Sequence, residues 1–209
     1  MIAKRQFLFR RVMKSAVLVA LASFTHSVGA ADVSVSQGIL RIEGTSHPDS
    51  IDVRTDQSGT IFVNGFDVAH SAQISKIVIA VYAGDDRVTL AGVYIPATVY
   101  LGAGDDEIRG GESADTIFCG EGNDRANGNR GADIIYGQGG NDLLRGGKNR
   151  DSLYGGAGLD ELHGDLAWDY LFGGEDVDLF YTAYEWVEDP ELTDFIFDLT
   201  EEDIQVFAF

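Results

Sequence analysis

One carboxylate recurs at every ninth position over the middle of this chain: Asp106, Asp115, Asp124, Asp133, Asp142, Asp151, Asp160, Asp169 and Asp178. Two residues beyond each stands Ile108, Ile117, Ala126, Ile135, Leu144, Leu153, Leu162, Leu171 or Phe180, and glycine fills most of the positions two and four before it. The unit reads G-G-x-G-x-D-x-(apolar)-x. Carboxylates repeated in register stack like charges that need a counterion. Together with main-chain carbonyls they offer an all-oxygen shell, the kind Ca²⁺ prefers at about 2.3–2.6 Å. The competing reading is that Asp here only forms turns, bonding to its own backbone. Asn or Ser would serve that purpose equally, and the unbroken Asp register favours calcium.

The spacing also dictates the elements that must hold these side chains. A glycine-rich run of six residues ending in Asp is a turn, because glycine enters positive φ at little cost. The three residues after it predict a short strand whose middle, apolar side chain points inward and whose neighbours point outward. Two units make one flattened coil of 18 residues, and coils stack about 4.8 Å apart. The fold class expected is all-β: a parallel β-roll or β-helix solenoid of stacked 18-residue coils, with a wider N-terminal β-solenoid part and a C-terminal β cap.

Equivalent turns then lie 18 residues apart on two sides of the solenoid. Side A holds Asp106, Asp124, Asp142, Asp160 and Asp178; side B holds Asp115, Asp133, Asp151 and Asp169. Side A keeps Gly104, Gly122, Gly140 and Gly158 two before the aspartate, with Asp105, Asn123 and Asn141 next to it. Side B is less regular, offering Ser113, Gly131, Asn149 and Ala167, then Ala114, Ala132, Arg150 and Trp168. An ion between consecutive turns would meet the aspartates of repeats n and n+2. This gives up to about seven calcium positions: four on side A, and three on side B that are weaker or partly empty.

Residues 102 to 178 resemble the haemolysin-type calcium-binding repeats of the RTX family. The likeness is cleanest in Gly155-Gly156-Ala157-Gly158-Leu159-Asp160-Glu161-Leu162 and Gly137-Gln138-Gly139-Gly140-Asn141-Asp142-Leu143-Leu144. It implies a β-roll with the repeat Asp of each turn, Asp106 through Asp178, as metal ligand. Residues 44 to 108 are similar to the degenerate repeats that precede the regular ones in many such proteins. Family members with enzymatic roles usually carry a separate protease, lipase or toxin domain, and none is visible here. Asp165, Ala167, Asp176 and Val177 depart from the turn pattern, which implies weaker binding toward the C-terminal end.

Residues 1–30 carry Lys4, Arg5, Arg10, Arg11 and Lys14 without an acid, then an apolar run from Ala16 to Ala22 and a small-residue stretch ending Val28-Gly29-Ala30-Ala31. This is the pattern of a secretory signal peptide cleaved after Ala30 or Ala31; an N-terminal membrane anchor is the other reading. Many RTX proteins leave by an uncleaved C-terminal signal, so the export route differs in expectation. Removal changes the formal net charge from -19 to -24. The expected location is secreted or extracellular, at the cell surface or in the periplasm, with no transmembrane segment in the mature chain. So acidic a chain makes nucleic acid a poor partner.

Residues 31–100 read as an irregular β-rich solenoid segment of wider coils, with a separate small β-sandwich as the alternative. Residues 101–181 are the nine repeats and 182–209 a cap, with strands expected at Phe195-Ile196-Phe197-Asp198-Leu199 and Asp203-Ile204-Gln205-Val206-Phe207. Phe118, Tyr136, Tyr154 and Phe172 form an outward aromatic series, either a stabilising ladder or a carbohydrate or protein platform. His47, His70 and His163 have no zinc spacing, no nucleophile elbow is present, and Cys119 stands where other repeats have glycine. The functional expectation is a non-enzymatic, secreted calcium-binding protein that folds on calcium. Its partners beyond calcium would be an extracellular polysaccharide or surface protein. An enzyme acting on polysaccharide or protein through an open face of the solenoid is the alternative.

Overall fold

The computed structural model describes residues 24–28, 31–183, 195–196 and 204–208. The first strands are β1 (Phe24–Val28), β2 (Ala31–Ser36), β3 (Ile39–Glu43), β4 (Ser50–Thr55), β5 (Thr60–Val63) and β6 (Phe66–His70). Then come β7 (Lys76–Ala80), β8 (Arg87–Thr89), β9 (Ala97–Ala103), β10 (Glu107–Arg109), β11 (Thr116–Glu121), β12 (Arg125–Arg130) and β13 (Ile134–Gly139). The remainder are β14 (Leu143–Lys148), β15 (Ser152–Ala157), β16 (Glu161–Leu166), β17 (Tyr170–Glu175), β18 (Leu179–Ala183), β19 (Phe195–Ile196) and β20 (Ile204–Ala208). Among the described residues no helix is long and apolar enough to cross a membrane.

From β7 onward successive strands alternate between two ten-stranded sheets, so each coil of the solenoid contributes one strand to each sheet. Neighbours within a sheet run parallel and in a register of one coil. Ile117 lies beside Ile135, Ile135 beside Leu153 and Leu153 beside Leu171. Across the core, Ala126, Leu144, Leu162 and Phe180 form the matching column. All eight are buried, which is the reason for one apolar residue per nonapeptide: each strand has a single large side chain to place inside.

β11 to β17 are six residues long rather than the three expected, which β10 keeps. In β11, β14 and β16 both the second and the fourth residue face inward. The fourth is usually glycine, and the ladder continues past it: Gly120 pairs with Gly102 on one side and Gln138 on the other. The backbone N–H and C=O groups of the glycines thus stay within the sheet, where leaving them would orphan them. The turns proper shrink to about three residues.

The N-terminal segment joins the same two sheets and the same core, so it is not a separate sandwich. Only β3, β4, β7, β8 and β9 continue the parallel coils, however. At the outer edges β1, β2 and β3 pair antiparallel, as do β4, β5 and β6. Two-residue turns decide this. Gln37 and Gly38 have φ of 52° and 75°, and Asn64 and Gly65 have 48° and 81°. Positive φ at both positions selects the tight hairpin whose twist suits antiparallel strands. The parallel coils here are wider, 20 residues from Ile77 to its partner Ala97 and 37 from Ile39 to Lys76, and the meanders close the N-terminal end. They bury Val33, Leu40, Ile42, Val53, Ile61 and Val63, a richer core than the glycine-rich coils hold.

At the other end β19 and β20 add parallel strands to β17 and β18. The rest of the segment expected as a cap lies outside the described residues. So do residues 1–23 and 29–30 of the expected leader; its residues Phe24–Val28 form β1 against β2.

Candidate metal centre

Each repeat aspartate closes its turn with the carboxylate turned inward, and all nine are 0–3% exposed. They form two ladders. On side A the main-chain N–H of Asp106 donates to Asp124 Oδ1 at 2.7 Å, Asp124 to Asp142 at 2.8 Å, Asp142 to Asp160 at 2.8 Å and Asp160 to Asp178 at 2.9 Å. On side B Asp115 donates to Asp133, Asp133 to Asp151 and Asp151 to Asp169, each at 2.7 Å. One carboxylate oxygen of each Asp therefore satisfies the turn of the coil before it.

The second oxygen has no such duty. Oδ2 of Asp106, Asp124, Asp133, Asp142, Asp151 and Asp160 is buried without a hydrogen-bond partner. A buried, unpaired carboxylate oxygen is costly, and native folds seldom tolerate a row of them. The surroundings are oxygen-rich. A Cβ placed on Gly137 would fall on Asp142 Oδ2 and on the Gly155 carbonyl oxygen; one on Gly155 would fall on Asp160 Oδ2 and the Gly173 carbonyl. Carboxylate and main-chain oxygens of successive coils converge there, a donor set that fits a hard divalent cation. Among the described residues no three His, Cys, Asp or Glu side chains gather at one point, so carbonyls would supply much of any shell.

Asp115 differs from the rest. Its Oδ1 accepts the N–H of Ala97 at 2.8 Å and its Oδ2 that of Gly111 at 2.7 Å, so both oxygens are occupied by the protein. The sides also differ next to the aspartate. On side A the side chain before it continues a second ladder: Asp105 Oδ1 accepts from Asn123 N at 2.8 Å, Asn123 Oδ1 from Asn141 N at 3.0 Å and Asn141 Oδ1 from Leu159 N at 2.8 Å. On side B the corresponding residues, Ala114, Ala132, Arg150 and Trp168, carry no side-chain acceptor, and the Arg150 guanidinium lies 4.4 Å over the Trp168 ring.

Burial pushes these carboxyls far above the usual range, and neighbouring carboxylates add to it. Asp151 rises to about 8, with Asp133, Asp169 and Asp165 contributing. Asp106, Asp133 and Asp160 reach about 7. Asp115, Asp124 and Asp142 reach about 6. Without a counterion Asp106, Asp133, Asp151 and Asp160 are therefore partly protonated near neutrality, because burial disfavours the ionised form.

Two aspartates outside the nonapeptide register join side A. Asp86 N–H donates to Asp106 Oδ1 at 2.7 Å, and Asp49 N–H donates to Asp86 Oδ1 at 2.6 Å. Intervals of 20 and 37 residues hide them from a nine-residue count. The Asp-x-apolar ending of Asp86-Arg87-Val88 and Asp49-Ser50-Ile51 was the available signal. The aromatic series likewise gains Tyr100, one coil before Phe118. Tyr100, Phe118, Tyr136, Tyr154 and Phe172 stack with centroids 5.0, 4.9, 4.8 and 4.6 Å apart.

A surface depression away from the ladders is lined by Asp52, Arg54, Asp56, Phe62 and Asn64. Its acids are already engaged. Asp52 pairs with Arg54 at 2.5 Å, and Asp56 Oδ1 accepts from Ser58 and Thr60, which lowers its pKa. A general acid needs a raised carboxyl, the opposite arrangement.

No curated protein and no solved structure matches the chain. The family model for the RTX calcium-binding nonapeptide repeat, four copies long, matches residues 98–126, 120–153 and 146–180. Its matches span the two aspartate ladders from Asp106 to Asp178, so residues 98–180 of this chain are similar to the RTX calcium-binding nonapeptide repeat.

Proposed function

We propose that Asp106, Asp115, Asp124, Asp133, Asp142, Asp151, Asp160, Asp169 and Asp178 each contribute a carboxylate to calcium held between successive turns. Four ions would lie on side A and three on side B, about seven in all. Asp115 contributes least, because two N–H groups occupy its oxygens. The observation that carries this reading is the row of buried Oδ2 atoms without partners. Bound calcium supplies the positive charge that the stacked carboxylates lack; the chain supplies the turns that space them.

The role is structural and calcium-dependent rather than enzymatic, in keeping with the RTX repeat. We infer export with removal of residues 1–30, folding on calcium outside the cytoplasm, and service at the cell surface or in an extracellular matrix. Partners of that setting are an extracellular polysaccharide or a surface protein. The aromatic stack favours neither by itself, since its rings spend their faces on one another and present edges to solvent. The opposite sheet is the better platform, with Arg109, Arg125, Arg145 and Lys148 on or near the surface and in no ion pair among the described residues.

The test is a calcium titration of the full chain by calorimetry and far-ultraviolet circular dichroism, with magnesium as control. Binding of several calcium ions with a gain of β signal is expected. A chain equally folded in chelator, or indifferent between the two metals, would return the aspartates to ordinary turn-formers.

A further inference from the structure

We propose a fifth calcium site on side A, N-terminal to the regular repeats, between the turn at residues 84–86 and the turn at residues 104–106. The proposal rests on the calcium reading of the repeats and extends it to residues outside the nonapeptide register. Asp86 repeats the geometry of the side-A aspartates. Its N–H goes to the Oδ1 of the next rung, its own Oδ1 accepts from the rung before, and its Oδ2 is buried without a partner, as is that of Asp106. Both residues are 2% exposed.

The backbone of the turn repeats as well. Gly84 N–H donates to the Ala103 carbonyl at 2.8 Å, as Gly104 does to Glu121, Gly122 to Gly139 and Gly140 to Ala157. The Gly84 carbonyl lies where a Cβ on Gly104 would fall, and the Tyr82 carbonyl where one on Gly102 would fall, the same relation that Gly104 and Gly102 bear to Gly122 and Gly120. Asp85 Oδ1 accepts Asp105 N–H at 3.1 Å, continuing the second side-A ladder. The two turns together carry four carboxylates, Asp85, Asp86, Asp105 and Asp106, more than any other consecutive pair on this side.

The column ends one coil earlier. Asp49 accepts the N–H of Thr45 on Oδ2 at 2.6 Å and has a buried Oδ1 without a partner, but a Cβ on Gly84 would meet Pro48 and His47, so the glycine carbonyl of the repeat turns is missing there. Asp49 is the end of the ladder rather than a sixth site. The placement has a consequence: the ion joins the hairpin-closed N-terminal segment to the first repeat coil, so calcium orders the junction along with the roll.

Calcium stoichiometry of the full chain, read by native mass spectrometry and calorimetry, tests this. Asp86→Asn is expected to bind one ion fewer than the parent, with the remaining affinities unchanged. Asp85→Asn, exposed and outside the buried ladder, is expected to keep the count and weaken one ion several-fold; it decides the matter should Asp86→Asn fail to fold. Parent-like stoichiometry and affinities in both variants would overturn the fifth site and leave the repeat sites standing. A parent that binds no calcium would overturn both, and is distinguishable because it needs no variant.

Discussion

Asp124 donates its main-chain N–H to Asp142 Oδ1 at 2.8 Å and accepts, on its own Oδ1, the N–H of Asp106 at 2.7 Å. Asp106, Asp124, Asp142 and Asp160 are each therefore both a backbone cap for the previous coil and a carboxylate with one oxygen to spare. The two duties separate under substitution, because one needs an acceptor and the other a charge.

Asp142→Asn keeps an acceptor for Asp124 N–H and removes a buried charge. It is expected to stabilise the chain in chelator and to weaken calcium binding. Asp142→Ala leaves that buried N–H without a partner, at a cost of about 1–3 kcal/mol, and is expected to lose stability with and without calcium. Paired melts in chelator and in calcium check the sign; identical behaviour of the two variants in chelator would contradict the capping role.

The raised carboxyls set a pH dependence that reverses with metal. In the metal-free fold Asp86, Asp115, Asp124 and Asp142 titrate near about 6, Asp106, Asp133 and Asp160 near about 7, and Asp151 near about 8, against 3.8 ordinarily. The folded state then binds more protons than the unfolded one, so stability in chelator is fully present below about pH 4 and is lost as pH rises toward 8. Calcium must displace those protons, so its affinity rises over the same window. Melting temperatures across this range, in chelator and in calcium, should slope in opposite directions.

Gly140 has φ of 114° and a Cβ there would fall on the Gly122 carbonyl oxygen. Gly65 has φ of 81° with nothing within 4 Å. Gly65→Ala is expected to cost only the dihedral penalty, roughly 1–2 kcal/mol. Gly140→Ala adds a backbone clash and should cost more, by about 1–3 kcal/mol, and lower calcium affinity. Equal destabilisation of the two would mean the coils can slide apart without loss.

Cys119 is fully buried, and burial raises its pKa well above the ordinary value, with Asp124 and Asp142 the nearest charges. The thiol should resist a maleimide while the roll is closed and react when chelator opens it. Labelling rates with and without calcium read the opening of this coil directly. Fast labelling in saturating calcium would contradict the closed coil.

Tyr136 stacks on Phe118 at 4.9 Å and on Tyr154 at 4.8 Å. Tyr136→Ala breaks both contacts and should cost about 1–3 kcal/mol, taking each stacked pair at about 0.5–1.5 kcal/mol. Tyr136→Phe should be near neutral. Thermal melts in calcium give the comparison, and a silent alanine variant would show that the stack is not what holds that face.

The nine-residue register determined the β-roll, its 18-residue coil, the inward column from Ile108 to Phe180, and the split of the aspartates into two sides, because each is fixed by local period and the two-residue alternation of a strand. Period alone could not decide where the chain leaves that register. The strands lengthened to six residues because the glycines keep their hydrogen bonds in the sheet, a matter of the neighbouring coil rather than of the nonapeptide. Gln37-Gly38 and Asn64-Gly65 added antiparallel hairpins to the wider N-terminal coils that the sequence suggested. Asp86 entered the ladder across 20 residues and Asp115 filled both its oxygens with backbone N–H groups. Those assignments depend on which atoms lie one coil away, and only the stacking of the coils brings such atoms together.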